Sequence, residues 1–153
     1  MREILFRAKT QKDVHWVFGD LMRSGTAPSD GEFDIMYWDD ESGWMQEHVQ
    51  PDTIGQFTGC LDNQGRRIFE GDVLECVSWN EFWSVDGKPL EQLRRRLLVS
   101  HQHGSFVCLE RQQAPFDDKV WDIISNQDCV IIGNIYDDKQ LWPKRPFDLP
   151  DVR

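Results

Sequence analysis

The chain is 153 residues long, enough for one ordinary domain and too short for two independent cores. Its formal net charge of -10 opposes sequence-independent binding to polyphosphates or anionic membranes, which need a cationic surface to release counterions. Apolar residues make up 39%, including seven Trp and nine Phe, so extended disorder is excluded and much of the core must be built from rings.

The opening residues Arg2 to Lys9 place Ile4 and Phe6 on one side and Leu5 and Arg7 on the other, which is strand spacing. Val14, Trp16 and Phe18 repeat that period before Gly19-Asp20, predicting a hairpin. Residues 23–34 have the Gly, Pro, Ser and Asp density of a surface loop. A second hairpin is predicted from Ile35–Trp38 and Trp44–Val49. In the segment from Pro51 to Leu74, Gly55, Gly59, Gly65 and Gly71 are expected to serve bends, and Asp72 to tether a turn through its carboxylate. Beyond Trp79 the pattern weakens, and Pro89–Leu98 reads either as a short helix with Leu90, Leu93 and Leu97 on one side or as a return strand, with helix favoured in its first half.

Leu97–Ser100 and Phe106–Leu109 predict another hairpin around His-Gln-His-Gly. Asp117 and Asp118 are placed to cap a helix carrying Val120, Trp121, Ile123 and Ile124. Cys129–Tyr136 is the last strand, Asp137–Leu141 is expected to turn once as helix, and Pro143, Pro146 and Pro150 keep residues 143–153 extended. The sum is a mainly β chain of the α+β kind with two or three short helices, and a doubly wound α/β enzyme is excluded.

No apolar run approaches the roughly 20 residues of a membrane-spanning helix, and the N-terminal residues are too charged for a secretory leader. A cytoplasmic protein is expected. Cys60, Cys76, Cys108 and Cys129 are scattered without a CxxC pair, so four reduced thiols are expected, most of them small core residues.

Several pieces together resemble the YopX family, encoded by bacteriophages and bacterial prophages. They are Arg2–Ala8, Trp16–Leu21, Thr-Ile-Gly-Gln-Phe-Thr-Gly and Ile-Phe-Glu-Gly-Asp-Val within Pro51–Leu74, and Val130–Asp137, in family order. The resemblance implies a single β-rich domain over residues 1–153 with an SH3-like barrel element, a phage or prophage origin in a bacterial host, and assembly into oligomers. It brings no catalytic residues. Residues 79–96 look like a family-variable insertion.

Several residues are candidates for chemistry. Glu70, Asp72 and Glu75, with Asp20, are the carboxylates from which a divalent-metal site would be drawn, although strand parity sets Asp72 and Glu75 on opposite faces. His101 and His103 are weak metal candidates, two ligands on one strand face with Cys108 across the hairpin. Walker, GxGxxG and GxSxG motifs are absent, so nucleotide binding and covalent catalysis have no support. No cofactor is expected. Arg94, Arg95 and Arg96 form the one dense basic run, with Trp79, Phe82 and Trp83 upstream, and together they are the candidate interface for a protein partner or a second copy. The expected function is a non-enzymatic binding or assembly module that self-associates or meets a phage or host protein. The alternatives are a metal-dependent enzyme acting on nucleic acid and a nucleic-acid-binding module through Arg94–Arg96.

Overall fold

A computed structural model describes residues 3–25, 31–79, 92–102, 104–110 and 118–142. The first hairpin joins β1 (Phe6–Lys9) to β2 (Trp16–Arg23), and the second joins β3 (Phe33–Asp39) to β4 (Gly43–Val49). Period-two alternation turns Ala8, Val17, Ile35 and Val49 to one side, where they form a small core with Phe6, Leu21, Phe33 and Tyr37 around it. β2 pairs with β1 through its first half and with β3 through its second. Gly19 permits the crossing, because a Cβ there would stand 2.1 Å from the Met36 carbonyl oxygen. The curl brings the end of β4 back to β1 in a single bridge between Thr10 and Val49.

A 3-10 turn, Pro51–Thr53, leads into β5 (Gly55–Leu61), which takes the other side of β1, and β6 (Arg67–Phe69) follows it. The first sheet therefore runs β4-β3-β2-β1-β5-β6. The second is built from β7 (Asp72–Trp79), β8 (Gln92–Gln102), β9 (Ser105–Glu110), β10 (Asp118–Lys119) and β11 (Asp128–Asn134), in the order β10-β9-β8-β7-β11. Helix α1 (Val120–Asn126) links β10 to β11 and drops Val120 and Ile123 into the second core. That core holds Ile68, Leu74, Leu97 and Val99, each worth roughly 1.5–3 kcal/mol over exposure. Ile68 enters it from the first sheet, while Phe69 faces the other way, so β6 is the joint between the sheets.

The structure corrects several expectations. Residues Gln92–Arg96 are extended, not helical, because β8 is sandwiched between β7 and β9 and its ladder overrides the leucine spacing. This also places the C-terminal part of the segment taken as an insertion inside a regular sheet. Among the described residues there is one α-helix of seven residues, begun at Lys119 without a side-chain cap, and Asp137–Leu141 forms turns. Both sheets stay open, and neither closes as an SH3-like barrel. Cys76 and Cys129 are directly paired across β7 and β11 and form a disulfide, against the expectation of four thiols. Residues 53 apart in sequence gave no sign that strand pairing would set them opposite each other. Cys108 is buried and Cys60 half-buried in the same core. Gly59, Gly65 and Gly71 have φ of 87, 77 and 86 degrees, but Gly55 is extended, and its lack of a side chain admits the Glu70 carbonyl instead.

Candidate functional site

Alternation along β1 sends Ala8 into the first core and Arg7 to the opposite face. There Arg7 Nη2 donates to Asp72 Oδ1 at 2.6 Å and to the Glu70 carbonyl at 3.2 Å. Asp72 Oδ2 accepts the Phe69 N–H at 2.8 Å, so one carboxylate holds both the turn before β7 and the side chain from β1. The Trp16 and Phe69 rings flank the guanidinium at 4.8 and 4.9 Å. Burial pushes the Asp72 carboxyl above its ordinary value, and the Arg7 charge opposes that rise without cancelling it.

Tyr136 closes the site from the C-terminal side. Its ring meets Trp16 edge-on at 5.8 Å and lies so close to Gly71 that a Cβ there would sit 2.7 Å away. Asp137 accepts from Trp16 Nε1 at 2.8 Å and Asn134 Nδ2 at 2.9 Å, and pairs with Lys9. Burial raises its pKa, but these donors prevail and hold it down to about 2. All four segments that carry the family resemblance meet at this junction.

Next to the ion pair, on the same face of the sheet, lies an open groove of about 1030 Å³. Its floor is Phe57 and Phe69, both buried, with ring centroids 5.6 Å apart. Its walls are Phe18 and Leu61, which are 47% and 49% exposed and so have apolar surface left to cover. The rim carries Glu3, Arg66 and Arg67. Arg67 is held by Glu3 at 3.0 Å and Arg66 by Asp62 at 2.7 Å, which leaves the rim close to neutral.

The Asp62–Arg66 turn has a second task. Asn63 N–H donates to the Cys129 carbonyl at 2.9 Å and Asn63 Oδ1 accepts the Cys129 N–H at 3.0 Å. Asp62 Oδ2 accepts the Ile131 N–H at 3.0 Å, while Arg66 Nη2 donates to the Ile131 carbonyl at 2.7 Å. The turn thus completes the outer edge of β11 in place of a strand.

The residues singled out from sequence are dispersed. Arg94 and Arg96 are exposed on one face of β8, and Arg95 points to the other. Arg94 pairs with Glu75 at 3.1 Å and Arg95 with Glu110 at 2.7 Å, so two of the three charges are matched locally. Together with Leu141 and Trp142 they border a smaller depression of about 410 Å³. Trp79 ends β7, while Phe82 and Trp83 lie outside the described residues, as does His103. The exposed ring of His101 packs edge-on against Phe106 at 5.1 Å, and Cys108 is buried beside Val99. Asp20 is exposed on β2, Asp72 is taken by Arg7, and Glu75 by Arg94. Among the described residues no group of three His, Cys, Asp or Glu side chains is placed to hold a metal.

Of the groove residues, Phe18 shows in the sequence only as part of a strand period, and Leu61 and Arg67 carry no signal at all. The signal available was parity, since Phe18 falls opposite the core residue Val17. What makes a groove of it is the pairing of strands some 40 residues apart.

The fold defines a mainly β protein of two open antiparallel sheets, and among the described residues no helix is long and apolar enough to cross a membrane. Residues 5–142 match the family described as YopX protein, and the chain belongs to the YopX family. Among solved structures it is similar to protein EF1440 from Enterococcus faecalis, at 19% identity and a TM-score of 0.49, over 92% of this chain and 99% of that one. No curated protein matches it.

Proposed function

We propose that this is a phage- or prophage-type binding module without a catalytic role, whose groove between Phe18 and Leu61 takes an apolar segment of a partner protein. The observation that carries the reading is the combination of a buried aromatic floor, two half-exposed apolar walls and a rim whose charges cancel. A polyanion would find neither free cations there nor a favourable overall charge, whereas an uncharged polypeptide segment gains apolar burial without stranding an ion. Aromatic rings and arginine are also the side chains that dominate protein interfaces.

The test is an NMR titration of the labelled full chain with a panel of uncharged peptides, each carrying one Phe or Trp, and with a single-stranded oligonucleotide as a separate arm. Shifts are expected to centre on Phe18, Leu61 and Arg67 for the peptides alone. The double variant Phe18→Ser/Leu61→Ser is expected to weaken binding at least tenfold while the fold persists. Peptide affinity unchanged in that variant, or tighter binding of the oligonucleotide, would overturn the reading.

A further inference from the structure

Among the described residues four strand edges bound the two sheets, and three of them are protected. β6 has three residues and β10 has two, both too short to template another strand. β11 has its outer Cys129 and Ile131 groups occupied by Asp62, Asn63 and Arg66. β4 differs. It runs seven residues in unbroken register with β3, without a bulge, Pro or Lys. Among the described residues its outer side is met only near Val49, by the Thr10 bridge, by Gln50, and by Gln11, whose N–H donates to the His48 carbonyl at 2.9 Å. Since the His48 carbonyl points outward, the two-residue period sends the N–H and C=O of Gln46 and Trp44 outward too.

We propose that β4 is a self-association edge, along which two copies of this chain pair antiparallel over Gly43–Glu47 with Met45 at the centre. The segment is complementary to itself. Trp44 and Gln46 of one copy exchange backbone hydrogen bonds with Gln46 and Trp44 of the other, which is the isologous pattern of a two-fold dimer. Glu47, the one carboxylate in the segment, falls opposite Gly43 of the second copy, so like charges do not meet. The acidic turn Asp39-Asp40-Glu41 of each copy comes toward the β1–β2 turn of the other, where Lys12 stands beside Asp13. Trp38 and Trp44 are 59% and 65% exposed and stack edge-on at 5.6 Å on the outer face, so pairing covers a ring pair from each copy. This surface is separate from the groove and stands or falls without it.

Sedimentation equilibrium of the full chain over 5–200 micromolar (about the range where a small edge contact is read) is expected to show a concentration-dependent species of twice 18.0 kDa. Gln46→Pro removes an outward N–H and no backbone bond to β3, though the Gln46 side-chain bond to Asp34 goes with it, and Trp44→Lys leaves both the backbone and that bond intact. Either change is expected to weaken the dimer at least tenfold, and Phe18→Ser/Leu61→Ser to leave it unchanged. Hydrogen exchange supplies a second measurement, with the Trp44 and Gln46 amides protected at high concentration only. A monomer throughout the range, or a dimer that survives Trp44→Lys with those amides still exchanging freely, would overturn the proposal.

Discussion

Two aspartates join the sheets, and they do so by opposite physics. Asp72 is wholly buried and relies on one guanidinium and one backbone N–H, and its carboxyl is raised because burial outweighs them. For Asp62, burial is again the largest influence, but N–H donors from Ile131, Arg66 and Gln64 and the Arg66 side chain overcome it and lower the carboxyl. The difference teaches that a buried carboxylate is held comfortably by several short-range donors and uncomfortably by a single charge.

The comparison breaks most sharply at Arg7. Arg7→Met strands the Asp72 charge and is expected to cost about 3–5 kcal/mol, read by urea unfolding, whereas Arg7→Met/Asp72→Leu recovers part of it because both charges leave together while the Phe69 N–H is left unmet. No recovery on the double replacement would show that the pair is more than a compensated burial. At the other joint, Asp62→Ala is expected to cost about 2–3 kcal/mol by leaving the β11 amide unmet, and adding Arg66→Ala brings nothing back. The smallest effect is in the pH dependence. Folded Asp72 holds its proton more tightly than the unfolded chain does, so its contribution is present below 3.8 and lost as pH rises through the raised folded value. Asp62 and Asp137 behave the other way, contributing above 3.8 and losing that contribution as pH falls toward their folded values, about 2 for Asp137. Relative to wild type, Asp62→Asn should therefore flatten the loss of stability in acid and Asp72→Asn should steepen it, in denaturant titrations from pH 7 to 3. Slopes of the same sign would contradict the contrast.

Many strands were legible from period-two alternation, as in Phe6–Lys9 and Gly43–Val49, because a half-buried strand writes its two faces into the sequence, whereas the half of Trp16–Arg23 beyond Gly19 was not. The helix at Val120–Asn126 was legible from the spacing of Val120 and Ile123. Gln92–Arg96 was not, since Leu93 and Leu97 suit a helix turn as well as a ladder and the sheet around them decided. The glycine turns at Gly65 and Gly71 were readable, but what Gly71 admits, the ring of Tyr136, was not. As for the site, the sequence pointed to the arginines of β8, whereas the groove and the place of β4 at a sheet edge came from strand order.

By itself the sequence determined the β character, the family and the aromatic composition of the core, all of which follow from local period and residue type. Tertiary structure decided which sheet edge is covered, that Cys76 meets Cys129, that Asp72 belongs to Arg7, and that Phe18 stands beside Phe69. Each of these is a contact between residues 50 or more apart, fixed by strand pairing, and no period in the chain records which strands lie side by side.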